Sequence, residues 1–281
     1  LVTRAMIAQR KELWERIRER DGSRFVMLGT PNKGSYQIPR LILGREKTFR
    51  MLALLDIRNS TKQLLDVIVR FPGVLQLLPM DADGPLNFLD AGTWDKLPNA
   101  GRQWIKPQGK DLEQARKFHE FLERGKENVG DWNSVIYVAG YGRGAPVAID
   151  LGGKDEIAFV GTNQGDGTVP WESGILPEME KDRIYYMDAP HGDLANHKES
   201  FAAIYDLLND GATTRLSKTP PRYDRSQEDR YLLRDEGVEI YPSQLDIETT
   251  VLGASPVRHQ PTSTKRVKVS VVHGNLSFCS N

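Results

Sequence analysis

The sequence predicts an α/β fold on three observations. Apolar runs of strand length recur at 25–28, 135–139, 157–160 and 184–187. Loops rich in glycine follow them, notably Gly29-Thr30-Pro31-Asn32-Lys33-Gly34-Ser35 and Gly140-Tyr141-Gly142-Arg143-Gly144. Stretches of helical periodicity fill most of the intervals, which is the repeating unit of a sheet covered by helices.

Residues 1–20 read as one helix, with Leu1, Ala5, Met6, Ala8, Leu13, Trp14 and Ile17 on one face and Asp21-Gly22 at its end. No Ser, Thr or Asp cap precedes it and the first residue is Leu, so the natural N-terminus is expected upstream. After the strand 25–28, the turn 29–35 lacks the glycine spacing of a phosphate-binding loop. It reads as a tight loop at a strand's C-terminal end, where ligands gather in open α/β sheets. Residues 36–80 are helical and apolar, through Met51, Leu52, Leu54, Leu55, Ile57, then Leu64, Leu65, Val67, Ile68, Val69 and the run 71–80. Such an insertion is either a packed layer or a cap over a site. A cap over about 36–110 is the expectation, because the strand pattern resumes only at Val135. Its apolar content suits a substrate with an acyl portion.

Residues 81–110, with Trp94 and Trp104, read as irregular loop. Asp111 is expected to cap a helix reaching about Glu127, with Leu112, Ala115, Phe118, Phe121 and Leu122 on its apolar face. His119, among charged neighbours, is expected to be solvated. The Gly140-x-Gly-x-Gly pattern is followed by Pro146 and a β-type run rather than a helix, which excludes a dinucleotide site. Instead 146–149 and 157–160 form a hairpin, turning at Gly152-Gly153. A helix over about 197–208, with Phe201, Ile204, Tyr205 and Leu208 on one face, ends at Gly211. Residues 213–266 turn polar and read as a linker with one short helix at 231–234. Val267, Val269 and Val271 alternate as the first strand of a further domain, over 267–281, whose partner strands are expected beyond Asn281.

The 38 basic and 38 acidic side chains cancel, which argues against nucleic acid or an anionic membrane as an obligatory partner. The single cysteine, Cys279, excludes a disulfide within the chain and suits a reducing, cytoplasmic setting. No apolar run is long enough for an integral membrane segment. Neither a cofactor nor a metal is expected.

The chemistry lies in two loops. Asp166 follows the run 157–160, and His191 follows the run 184–187. At one sheet edge the carboxylate could hold the imidazole Nδ1–H, leaving Nε2 free as a general base. His197 is the competing base, but it falls at the start of a helix. Asp193 reads as that helix's cap, His259 as a linker residue without a role, and His273 as structural. No Gly-x-Ser-x-Gly occurs, and Ser23 and Ser35 lack the flanking glycines of an exposed nucleophile.

GTPNKGS (29–35), GYGRGAPVAI (140–149), GDGTVP (165–170) and HGDLANH (191–197) fall in an order that resembles lipase-type α/β-hydrolases of the lecithin:cholesterol acyltransferase-like branch. The resemblance spans about 1–208. It implies the C-terminal part of an α/β-hydrolase sheet with a helical cap insertion, in a hydrolase domain ending near 212. It also implies that LVTRAMIA follows a nucleophile elbow lying just upstream, so that Asp166 and His191 are the acid and base of a Ser-Asp-His triad. The expected activity is that of an esterase, lipase or acyltransferase on small-molecule ester or lipid substrates. The chain alone, without its serine, is expected to be inactive. A non-catalytic sensor or scaffold module and an amide hydrolase are the alternatives. RVKVSVVHGNL (266–276) is similar to the start of a module in large bacterial proteins carrying caspase-like peptidase domains, so further domains are expected on both sides.

Overall fold

In a computed structural model the chain is described at residues 1–56, 58–80, 86–98, 104–153, 156–222, 230–233, 269–272 and 275–278. It divides into two compact units, Leu1–Arg234 and Asp235–Asn281.

The first unit opens with α1 (Val2–Gln9) and α2 (Lys11–Arg18), not the single helix expected. The break is at Arg10, with φ −133° and ψ 65°. Asn128 explains how it is tolerated: its side-chain amide donates to the carbonyls of Ile7 and Ala8, both at 3.2 Å, which an unbroken helix would have bonded internally. The bend lets Ile7 and Trp14 pack into one cluster, and the Trp14 indole donates to the Val129 carbonyl at 3.0 Å.

β1 (Phe25–Leu28) leads through the 29–35 loop to six helices: α3 (Gln37–Ile42), α4 (Lys47–Leu55), α5 (Thr61–Ile68), α6 (Pro72–Leu75), α7 (Ala91–Lys96) and α8 (Gly109–Arg124). Local caps set several starts. Glu46 accepts from the backbone N–H groups of Thr48 and Phe49, Ser60 and Gln63 form a reciprocal capping box, and Asp90 accepts from Thr93. Helix α8 begins two residues before the expected cap. Asp111 therefore lies in its first turn, where a negative charge still complements the helix dipole.

β2 (Val135–Gly140), β3 (Ala145–Gly153) and β4 (Glu156–Thr162) follow, then α9 (Trp171–Gly174), β5 (Ile184–Met187), α10 (Phe201–Asn209) and β6 (Tyr231–Leu233). β1, β2 and β5 form a parallel sheet in that order, so the α/β character expected from the sequence is present. Every residue of the central strand β2 is buried, as helices on both faces of a parallel sheet require. Alternation then divides the core. Val135, Tyr137 and Ala139 join Ile184 and Tyr186 beneath α1 and α2, while Ile136 and Val138 join Tyr185 and Met187 beneath α10.

The hairpin β3–β4 forms, but Gly152 and Gly153 belong to β3 rather than to its turn, and it lies in a second, antiparallel sheet with β6. Its Ile149, Ile157 and Phe159 share a core with Tyr36, Ile42, Leu75, Leu78, Phe88 and Trp94 of the helical insertion. Insertion and hairpin thus share one hydrophobic core. The short helix expected at 231–234 is instead the strand β6, paired Leu232 to Val160 and Leu233 to Phe159. The free edge of β4 outweighs local helical preference there. Nor is the start of the expected linker detached: Tyr186 N donates to Ser217 O at 2.8 Å, and Leu216 packs beneath α10.

Of the expected face of helix α10 only Ile204 packs against the core, beside Ala203 and Leu207. Ala203 and Leu207 are buried, whereas Phe201, Tyr205 and Leu208 are exposed. Two apolar stripes run along this helix, and periodicity alone cannot choose between them.

In the second unit, β7 (Val269–Val272) pairs antiparallel with β8 (Asn275–Phe278). The expected strand therefore has a local partner in β8. His259, His273, Cys279 and the expected Gly-Gly hairpin turn's successors 154–155 lie outside the described residues. Among the described residues no helix is long and apolar enough to cross a membrane, and no cluster of metal-ligating side chains occurs.

Candidate active site

Asp166 and His191 meet. The imidazole Nδ1 lies 2.9 Å from Asp166 Oδ2, and the His191 backbone N–H donates to the Asp166 carbonyl at 2.9 Å. The two residues are thus joined through both side chain and main chain, which fixes the ring against the acid. The second carboxylate oxygen, Oδ1, accepts from the N–H groups of Thr168 at 3.0 Å and Val169 at 2.7 Å. This is the local turn that Asp favours, and it holds the side chain from below. Asp166 is 2% exposed. A carboxylate only accepts, so it selects the imidazole tautomer with hydrogen on Nδ1 and a lone pair on Nε2. The imidazole is about one-third exposed, and among the described residues nothing hydrogen-bonds to Nε2.

His191 lies just past β5, as its apolar run implies. Asp166 reaches the site by a different route from the one expected, because the run 157–160 belongs to the antiparallel sheet. The chain leaves β2 at Gly140, passes through the hairpin, and returns beside the end of β2. There Arg143 and Asp166 form an isolated parallel bridge. At Gly140 a Cβ would fall 2.6 Å from Asp166 Cβ and 2.8 Å from the Ala189 carbonyl oxygen, so the missing side chain is what admits the acid. The Trp171 indole donates to Gly140 O at 2.8 Å and ties α9 to the same strand end.

The 29–35 loop closes the other side. Gly29 adopts φ +54°, and a Cβ there would lie 2.3 Å from Leu194 Cδ1 and 2.7 Å from Asp166 Oδ2. Three further contacts bind this loop to the loop carrying Asp166. Lys33 N donates to Ser173 O at 2.8 Å, the Asn32 side-chain amide to Gly174 O at 2.7 Å, and the Ser35 hydroxyl to Thr168 O. Buried Tyr137 donates to Thr30 O at 3.0 Å. Burial, and then the nearby Asp166 charge, push its phenol well above the ordinary range, so it remains a neutral donor. The sequence reading missed Asn32 and Tyr137; the first looks like any polar loop residue and the second like any strand aromatic.

Among the described residues none of the remaining candidates bonds to the Asp166–His191 pair. Ser23 Oγ donates to Arg18 O at 3.3 Å, and the hydroxyl of buried Ser35 is taken by Thr168 O. His197 Nδ1 pairs locally with Ser200 Oγ at 2.8 Å, in the turn that enters α10. Asp193, expected as that helix's cap, is exposed and makes no cap bond, because the turn Lys198–Ser200 supplies the entry instead.

His119 is not solvated. It is 2% exposed on α8, and neither ring nitrogen has a hydrogen-bond partner. Burial, then the positive charge of Arg4, lower its pKa to about 4, with Glu123 opposing. Between pH 6.5 and 4 the unfolded chain binds a proton that the folded chain refuses, so stability is full above pH 6.5 and declines below it. The decline from this group amounts to roughly 3 kcal/mol at pH 4. Urea unfolding across that range should show a slope one proton smaller in His119→Leu than in the unsubstituted chain. Equal slopes would exclude a buried neutral histidine.

Compared with known proteins, the chain matches no family model, no curated protein and no solved structure.

Proposed function

We propose that this chain supplies the acid and base of a serine hydrolase acting on carboxylic esters, with lipid or acyl substrates, its nucleophile lying upstream of Leu1. The observation that carries this reading is the 2.9 Å Asp166–His191 pair with Nε2 left open. In the reaction the serine Oγ attacks the ester carbonyl while His191 Nε2 takes its proton. Asp166 holds the ring and stabilises the imidazolium. Collapse of the tetrahedral intermediate returns that proton to the leaving alcohol, and water or an acceptor alcohol then removes the acyl group. Position supports the proposal too. β1 has no neighbour on its outer edge among the described residues, and Gly29, at its end, abuts both Asp166 and His191. A parallel strand added at that edge would bring its own C-terminal turn toward the pair, where ligands of such sheets collect.

Fluorophosphonate labelling of the full-length polypeptide, with the adduct located by peptide mass spectrometry, tests the reading. The expected adduct is on a serine upstream of Leu1 and disappears in His191→Ala. A folded protein that takes no label, and whose elbow carries no serine, would make this a non-catalytic module of hydrolase type.

A further inference from the structure

We infer that Asn32 is a positioning residue for the Asp166–His191 pair, held in place by Arg4; the inference deepens the proposed function and rests on that reading for its catalytic meaning. Asn32 is 1% exposed, in a loop whose neighbours suggest a solvated turn. Its side chain is used in full. The amide donates to Gly174 O at 2.7 Å and contacts Met27 Sδ at 3.5 Å, while Oδ1 accepts from Arg4 Nη1 at 3.2 Å. The same guanidinium nitrogen donates to the Asn32 backbone carbonyl at 2.9 Å. Arg4 is 5% exposed, and its other nitrogen, Nη2, faces Leu122 O and Glu123 Oε1, both at 3.5 Å. A buried guanidinium is costly unless its donors are paired in fixed geometry, so this pairing fixes the orientation of the Asn32 amide.

What Asn32 grips is the far end of the loop that carries the acid. That loop is a closed unit. Trp171 N donates to Gln164 O at 2.9 Å, Gly174 N to Pro170 O at 3.0 Å, and Asp166 N to Val169 O at 3.4 Å. Gly174 is pressed against Tyr137, where a Cβ would lie 2.1 Å from the phenol oxygen. The loop therefore cannot slide when its end is pulled; it moves as a body, taking Asp166 with it. At the near end of the 29–35 loop, Gly29 stands against Asp166 Oδ2. Asn32 thus joins helix α1, strand β1 and the acid loop at one point, without touching either member of the pair.

The test follows the low-field proton resonance of the Nδ1–H of His191 in the full-length polypeptide, identified by its loss in Asp166→Ala. Asn32→Ala, and the isosteric Asn32→Asp, which cannot donate to Gly174 O when ionised, should broaden this signal by speeding exchange at least tenfold. Leu65→Ala, a cavity in the helical insertion, serves as a comparably destabilised control and should leave the signal sharp. If one asparagine variant fails to fold, the other carries the measurement. An unchanged resonance in the asparagine variants overturns the inference. So does equal broadening in Leu65→Ala, which would mean a general loss of stability, and so does absence of the signal before substitution. Fluorophosphonate labelling, run in parallel, separates the two claims. A protein that never labels but shows the Asn32 dependence keeps the positioning role and loses the hydrolase reading.

Discussion

On the proposed hydrolase reading, Asp166→Asn in the full-length polypeptide should lower ester turnover by about three to four orders of magnitude while leaving the protein folded. The asparagine Oδ1 can still accept from the Thr168 and Val169 N–H groups, so the turn beneath the side chain survives. The other position becomes an amide that donates, and it faces His191 Nδ1. Two donors cannot bond, so the ring turns to the tautomer with hydrogen on Nε2 and loses the lone pair that must accept the serine proton. Asp166→Ala behaves differently. It leaves the buried Val169 N–H without an acceptor, at about 1–3 kcal/mol, and the half-buried Thr168 N–H as well, so stability and turnover fall together. Measuring kcat on a short-chain ester beside urea unfolding separates the two effects. His197→Ala, which removes only the local bond to Ser200, should keep turnover within about twofold, the scale of a change that touches no essential contact. Equal loss from His191→Ala and His197→Ala would sink the assignment of the base.

The parallel strands were legible because both of their faces are apolar, and a run such as Val135-Ile136-Tyr137-Val138-Ala139 has few other uses. The meeting of Asp166 and His191 was legible for a related reason, since loops at strand ends gather at one edge. The route of the acid to that edge was not. The hairpin between Gly140 and Asp166 pairs with itself and with β6, and no local signal separates it from a strand of the main sheet. The break at Arg10 depends on Asn128, more than a hundred residues away, and helical periodicity carries no trace of such a partner. His119 is the instructive miss. It falls on the stripe Leu112, Ala115, His119, Leu122, whose spacing already marks the buried face of α8. Its charged sequence neighbours point elsewhere on the helix and say nothing about its own environment.

Gly140→Ala should cost about 1–3 kcal/mol of stability and disable the site beyond what that loss explains. The added methyl would meet Asp166 Cβ at 2.6 Å, the Ala189 carbonyl oxygen at 2.8 Å and Leu194 Cδ2 at 3.1 Å. The second of these is backbone two residues before His191, so the strain is relieved only by moving the acid, the base or both. Gly29→Ala offers a comparison of similar size and different origin. Its φ of +54° adds about 1–2 kcal/mol for a residue with a Cβ. Its closest obstacle, however, is Leu194 Cδ1 at 2.3 Å, the end of a flexible side chain. Leu194→Ala should therefore recover part of the Gly29→Ala loss and much less of the Gly140→Ala loss, where backbone is in the way. A double-mutant cycle on unfolding free energies reads this directly, with favourable coupling expected for Gly29 with Leu194 and weaker coupling for Gly140 with Leu194. Equal coupling in both cycles would mean that Leu194, rather than the backbone around Ala189, sets the space available to the pair.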